Sequence, residues 1–258
     1  MQQVGSLLVW IVLAFLVATW IALFARRLSP QKAGTLWGIV ALPMLALGLY
    51  LGLLWAPPDV LMGEVYRIMY VHFPSWIGTG AGYLTAFVCS LLYIRSRDQR
   101  FDSWASAGAE IGLVFNATGL ITGSIWGRPT WGVWWTWDPR LTWTAIMAVT
   151  FAGYLVLRAL MEDPEARARA SSLVAIIGFA TLPIVYFSVR WWRTLHQPQS
   201  SPETVDPQMV VALRTMMLAF LLIFGYLLTR RFALAQLRAE AELAALEPDE
   251  LEMEAAGD

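Results

Sequence analysis

The sequence predicts an all-α, polytopic membrane protein of about seven transmembrane helices. Three observations predict it. Of its 258 residues 58% are hydrophobic and 14% charged, against roughly 45–50% and about 25% in soluble domains. Stretches of the roughly 20 mostly apolar residues that a spanning helix needs recur at 6–25, 36–55, 74–94, 103–123, 143–161, 173–190 and 210–229. Within them apolar residues run continuously instead of alternating at period two, which excludes a membrane β-barrel.

Taken in order, the first stretch has no basic residue before it, and Arg26 and Arg27 follow it directly. That is the wrong pattern for a cleavable signal. It reads as an anchor over residues 1–30, inserted with its N-terminus outside and facing lipid. The third stretch carries Gly78, Gly80 and Gly82. These are no dinucleotide fingerprint, being inside a span; Gly78 and Gly82 form a small-x-x-x-small pair that lets helices approach. Cys89 is the sole cysteine, so a disulfide framework, a multi-cysteine zinc site and a covalent haem attachment are all excluded. The fourth stretch holds Glu110 and Asn116, and polar groups inside a membrane raise the alternative of a solute transporter or channel. After the seventh stretch the composition changes. Residues 230–258 are rich in Ala, Leu and Glu, with Leu234, Leu237, Ala241 and Ala244 spaced for a short amphipathic helix. The end is acidic, with Glu247, Asp249, Glu250, Glu252, Glu254 and Asp258, and reads as a solvated tail.

Charge sets the orientation. The total is nearly balanced at −1, which argues against nucleic-acid binding. Arg26, Arg27, Lys32, Arg95, Arg97, Arg100, Arg158, Arg167, Arg169, Arg230, Arg231 and Arg238 fall on one side of the spans. Arg67, Arg128, Arg140, Arg190 and Arg193 fall on the other. The positive-inside rule places the first group in the cytoplasm. The N-terminus is then outside and the C-terminus inside, as an odd number of spans requires.

Both histidines, His72 and His196, fall on the outer side, in the second and sixth loops. Between them the fourth loop holds Trp126, Trp131, Trp134, Trp135 and Trp137, with Trp143 at the next span. Trp76 lies four residues after His72. There are 14 Trp in all. An interfacial belt is one reading, but a belt populates both faces. Two imidazoles without a cysteine pair make a poor zinc site; as two axial ligands of haem iron they are well suited. Arginine pairs with carboxylates such as haem propionates, and spacing does not choose among the outer arginines. Asp138 and Arg140 read as a turn-stabilising pair; an enzyme using Asp138 and a histidine as acid and base is the alternative, weakened by the lack of a nucleophile.

The segment Gly123 to Thr142, GSIWGRPTWGVWWTWDPRLT, resembles the tryptophan-rich WWD signature of haem-handling membrane proteins. Within that superfamily the chain looks most like the CcmC family of haem exporter proteins, which serves cytochrome c maturation. YRIMYVHFP at 66–74, WWRTLHQ at 191–197 and LPIVYFSV at 182–189 are similar to the stretches around that family's two external histidines. The resemblance covers roughly residues 36–229. It implies a six-helix core, residues 31–229, to which residues 1–30 add a helix and 230–258 an acidic extension. It implies His72 and His196 as axial ligands of a transient, non-covalent haem b. Trp126, Trp131, Trp134, Trp135, Trp137 and Asp138 become its platform, and Arg67, Arg128, Arg140 and Arg193 its candidate propionate partners. It further implies delivery of haem to the periplasmic chaperone CcmE, in company with the CcmA–CcmB transporter and CcmD. A bacterial inner-membrane location, with the haem site outside and no catalysis, follows from the same resemblance. The added N-terminal helix has the polarity of a fused CcmD-like helix. Pro139 departs from the pattern directly after Asp138.

Overall fold

The computed structural model describes residues 2–24, 27–196 and 205–255, and the side chains of 10–23, 27–196 and 205–237. Arg26, Arg238, Ala241, Ala244 and the acidic side chains of the tail lie outside them. Every apolar stretch falls in a helix. The helices are α1 (Gln2–Phe24), α2 (Pro30–Tyr50), α3 (Met69–Ser96), α4 (Gln99–Trp131), α5 (Pro139–Leu160), α6 (Pro164–Phe179), α7 (Thr181–Trp191) and α8 (Pro207–Ala255). Pro30–Trp55, Glu64–Ser96, Pro139–Leu160, Pro164–Trp191 and Pro207–Leu237 are long and apolar enough to cross a membrane, and Trp10–Leu23 is a shorter apolar helix. The described residues contain no strand beyond the isolated bridge between Asp59 and Gly63. The chain is a polytopic helical membrane protein.

Four helix starts share one local pattern. Ser29 Oγ accepts from the Lys32 N–H at 3.3 Å, Asp138 Oδ1 from Leu141 at 2.8 Å, Asp163 Oδ2 from Ala166 at 2.6 Å and Asp206 Oδ1 from Gln208 at 2.8 Å. A proline follows each acceptor, at the first helical position, where its missing N–H costs nothing. Pro139 is therefore the first residue of α5. Prolines deeper in a helix act differently. Pro183 offers no N–H to the Phe179 carbonyl, and the expected sixth span breaks there into α6 and α7.

α4 is the least apolar of the seven segments, carrying Asp102, Glu110 and Asn116. It is 33 residues long, about 50 Å at 1.5 Å per residue, and is covered by α3, α5 and α8. The faces it turns to those helices need small residues and paired polar groups, while Val114, Ile121 and Ile125 stay exposed on the remaining face. A Cβ on Gly82 of α3 would come within 2.5 Å of Gly112 Cα and 2.7 Å of the Gly108 carbonyl oxygen on α4. The two backbones touch there, as the small-residue pair in α3 predicts. The polar groups find partners, apart from Asn116 Oδ1, which has none among the described residues. Arg158 makes a two-pronged pair with Asp102 at 2.6 and 2.7 Å, and Arg231 meets Glu110 at 2.6 Å. Asn116 Nδ2 donates to the Tyr83 hydroxyl at 3.2 Å.

Two expectations change. The first helix is more than a lipid-facing anchor: Trp10, Ile11, Val17 and Ile21 are exposed on it, but its other face is packed. Its Val12, Leu16 and Leu23 are buried in one core with Trp37 and Met44 of α2 and Leu218 and Leu222 of α8. Trp37 is wholly buried, and its indole N–H donates to Thr19 Oγ1 at 2.6 Å. Trp20 lies 5.1 Å from Trp37 and 6.3 Å from Trp104, which stacks on Phe232 at 3.9 Å. Among the tryptophans away from the outer loops, Trp10 is exposed, while Trp20, Trp37 and Trp104 build this interior cluster. Hydropathy registers how apolar an indole is, not whether an acceptor awaits its N–H. Second, no break separates the seventh span from the tail. α8 runs through residue 230 unbroken, and Phe232 and Ala233 beyond it are still buried.

Candidate functional site

His72 is not in a loop. A short 3₁₀ turn, Glu64–Ile68, leads into α3, and His72 sits in the first turn of that helix, 8% exposed. The expected stretch began at Pro74, but that proline lies inside α3; it removes one bond, to the Tyr70 carbonyl, without ending the helix. Likewise α4 runs on to Trp131, so Trp126 and Trp131 are helical and only 132–138 forms a loop. Gly132, with φ of +79°, ends the helix in the left-handed conformation that glycine adopts without strain.

These elements bring the expected residues to one end of the bundle. Trp126 meets the His72 ring edge-on at 5.6 Å, and Tyr66 meets Trp126 at 6.1 Å. Trp131 meets His196 at 4.7 Å. Trp135 and Trp137 are edge-to-face at 5.5 Å. Ser124 Oγ donates to the Trp134 carbonyl at 2.8 Å, folding the loop back along α4. The aromatic set is thus divided. Trp126 and Trp131 flank the imidazoles, whereas Trp134 and Trp137 stand outward, 59% and 75% exposed.

Asp138 is less a part of the flat surface than the link between its halves. Besides capping α5, its Oδ2 accepts from the Thr194 hydroxyl and from the Leu195 N–H at 2.9 Å. Thr194 Oγ1 in turn accepts from the His196 N–H at 3.2 Å. One carboxylate holds the histidine-bearing segment against the tryptophan loop. Burial works to raise the Asp138 pKa, but the Thr194 hydroxyl, the two backbone N–H groups and the neighbouring His196 outweigh it, so the carboxyl titrates below its ordinary range. The His196 pKa is lowered to about 4, first by burial and then by the Arg140 charge, against the opposing pull of Asp138. His196 is therefore neutral at pH 7, as a metal ligand must be.

The arginines do not share one role. Arg67 is bound to Glu64 and donates through Nη1 to the carbonyls of Gly52 at 2.6 Å and Ala56 at 3.1 Å, closing the π-helical turn Leu51–Trp55 that ends α2. Arg128 Nη1 donates to the Gly132 carbonyl at the end of α4. Arg140 lies within electrostatic reach of both imidazoles and makes no ion pair with another described residue. Arg193 is exposed.

The family model described as “Heme exporter protein C” matches residues 11–246. The chain belongs to the haem exporter protein C family. Proteins named “Heme exporter protein C” in Bradyrhizobium diazoefficiens and Haemophilus influenzae are 37% and 34% identical to it, over 79% and 82% of this chain and 76% and 87% of theirs. A Marchantia polymorpha protein named “Putative cytochrome c biosynthesis ccmC-like mitochondrial protein” is 37% identical over 60% of this chain and 65% of its own. The family match begins inside α1 and ends inside α8, wider than the 36–229 of the motif resemblance.

Three residues of the site are absent from the sequence reading as functional groups. Thr122 lies 3.1 Å from His72 Nδ1, Trp76 donates to His72 Nε2 at 3.1 Å, and Thr194 binds Asp138. The spacing of Trp76, one turn beyond His72, was the available signal; Thr122 and Thr194 meet their partners only through the fold.

Proposed function

We propose that this protein binds haem at the outer face of the bacterial cytoplasmic membrane and delivers it to a periplasmic haem chaperone of the CcmE type during cytochrome c maturation. His72 and His196 are the axial ligands. Trp126, Trp131, Trp134, Trp135 and Trp137 provide the aromatic surface, Asp138 fixes the His196 segment to it, and Arg140 is the arginine best placed for a propionate. The protein is a carrier, not an enzyme, and works with the CcmA–CcmB transporter and CcmD.

The observation that carries this reading is the gathering of the two histidines, from opposite parts of the chain, beside one tryptophan layer. The chemistry of the unsatisfied atoms supports it. His196 Nδ1, the indole N–H groups of Trp126 and Trp135 and the Thr136 hydroxyl are buried without a partner among the described residues. Buried polar atoms are nearly always satisfied, and a planar ligand with a metal and carboxylates offers what these lack. The outer placement rests on the charge pattern. His72 opens α3, and Arg95 and Arg97 close it at the other end, where Arg97 pairs with Glu165 at 3.8 Å. Of the grounds for a transporter, Glu110 is paired with Arg231 and Asn116 donates through Nδ2 to the Tyr83 hydroxyl.

The test is spectroscopic. Purified protein titrated with haem should give a low-spin, bis-histidine spectrum, and the double variant His72→Ala, His196→Ala should not. Equal haem content in the double variant refutes the ligand assignment.

A further inference from the structure

The His72 ring is held from both sides by groups that decide which nitrogen carries its proton. Trp76 Nε1 lies 3.1 Å from His72 Nε2. An indole N–H only donates, so Nε2 is the acceptor. Across the ring, Thr122 Oγ1 lies 3.1 Å from Nδ1. The Thr122 hydroxyl proton is directed at the Thr118 carbonyl, 2.7 Å away, which leaves its oxygen to accept from Nδ1–H. Both contacts specify the same tautomer, protonated on Nδ1.

α4 is shaped to seat both rings. A Cβ on Gly119 would come within 2.7 Å of the Trp76 ring, and one on Gly123 within 2.9 Å of His72 Cε1. Only glycines, four apart, leave room for a tryptophan and a histidine that are also four apart on α3.

The lone pair that an iron ion would take is on Nε2, and Trp76 occupies it. We propose that Trp76 is a positioning residue that caps the metal-binding nitrogen of His72 in the haem-free protein and competes with iron for it. Thr122 has the opposite effect: by accepting from Nδ1–H it raises the basicity of Nε2 and favours ligation. The balance makes capture of haem readily reversible, as a carrier requires. The proposal rests on His72 being an iron ligand.

Trp76→Phe keeps the ring in the Gly119 slot and deletes the donor. Haem titration of this variant should show affinity about five- to tenfold tighter, the equivalent of one net hydrogen bond. Without haem, carbethoxylation of His72 by diethyl pyrocarbonate should be several-fold faster, on the order of the same factor. Thr122→Val should bind haem about tenfold more weakly. Damage to the fold would weaken both variants, so the opposite signs are diagnostic. Affinity of Trp76→Phe equal to or below that of the natural protein overturns the capping role. So does a proton on Nε2 in the imidazole nitrogen spectrum of the natural haem-free protein, which needs no variant. His72→Ala separates the two levels: if it leaves haem binding intact, the ligand reading itself fails; if it abolishes binding while Trp76→Phe is neutral, only the capping role falls.

Discussion

The Asp138 carboxylate is joined to the Thr194 hydroxyl across 56 positions of sequence, and through it to the backbone of His196. The WWD aspartate therefore acts as a tie between two segments that the chain keeps far apart.

Asp138→Ala is expected to release that tie and the α5 cap together. A lost cap costs about 1 kcal/mol. Trypsin should cut after Arg193 severalfold faster than in the natural protein, and haem affinity should fall. Asp138→Asn keeps an acceptor oxygen and should lie between the two. Unchanged cutting in Asp138→Ala would contradict the tie.

The tie also has a pH dependence. The Asp138 pKa is depressed in the folded protein, so its contribution is complete above the ordinary carboxylate value of about 4 and is lost as pH falls through the folded value. Tryptic cutting does not survive such acid, so pepsin cleavage of 192–196 is the measurement. It should rise below about pH 4 in the natural protein and already be high in Asp138→Ala.

Asp102 and Arg158 are 8% and 14% exposed, and Arg158 Nη1 also donates to Ser171 Oγ at 2.9 Å. Removing one partner strands a buried charge, at about 3–5 kcal/mol. Asp102→Asn and Arg158→Met should each lower the thermal midpoint sharply in detergent. Asp102→Leu with Arg158→Met should be less damaging than the sum of the single changes.

Where α3 and α4 touch, even one added carbon meets main chain at 2.5 Å. Gly82→Val should abolish folded protein by size-exclusion chromatography, since no neighbouring side chain can turn aside. Gly80 has open space where its Cβ would be, and Gly80→Ala should fold normally.

Thr19→Val should destabilise the protein by about 1 kcal/mol or slightly more, because the buried Trp37 N–H loses its acceptor. Thermal unfolding measures this, and an unchanged midpoint would return α1 to the role of a separate anchor.

The fold was largely legible because a bilayer demands long apolar runs, and those survive as helices at every expected position. What escaped was the finer use of each helix. α1 has the hydropathy of a lipid-facing span, and only its packing on α2 and α8 and the Thr19–Trp37 bond reveal that one of its faces is part of the core. The loss of apolar character after residue 229 marks a change of surroundings, yet Phe232 still stacks on Trp104. In the site, composition and topology found His72 and His196 because they are the only histidines. They could not find Thr122 or Thr194, ordinary residues that matter through partners 50 and 56 positions away. Arg67 and Arg128, whose location suggested propionate partners, carry a second use that location did not announce: each donates through Nη1 to a carbonyl at a helix end.

The two imidazoles are carried on unequal mounts. His72 stands on a helix whose backbone is locked against its neighbour at Gly82. His196 lies beyond the end of α7, where, among the described residues, the Asp138 carboxylate and the Trp131 ring hold its segment. On the proposed ligation, releasing a flat ligand on the His196 side would cost only the few hydrogen bonds made to Asp138, whereas moving His72 would mean parting two backbones that touch.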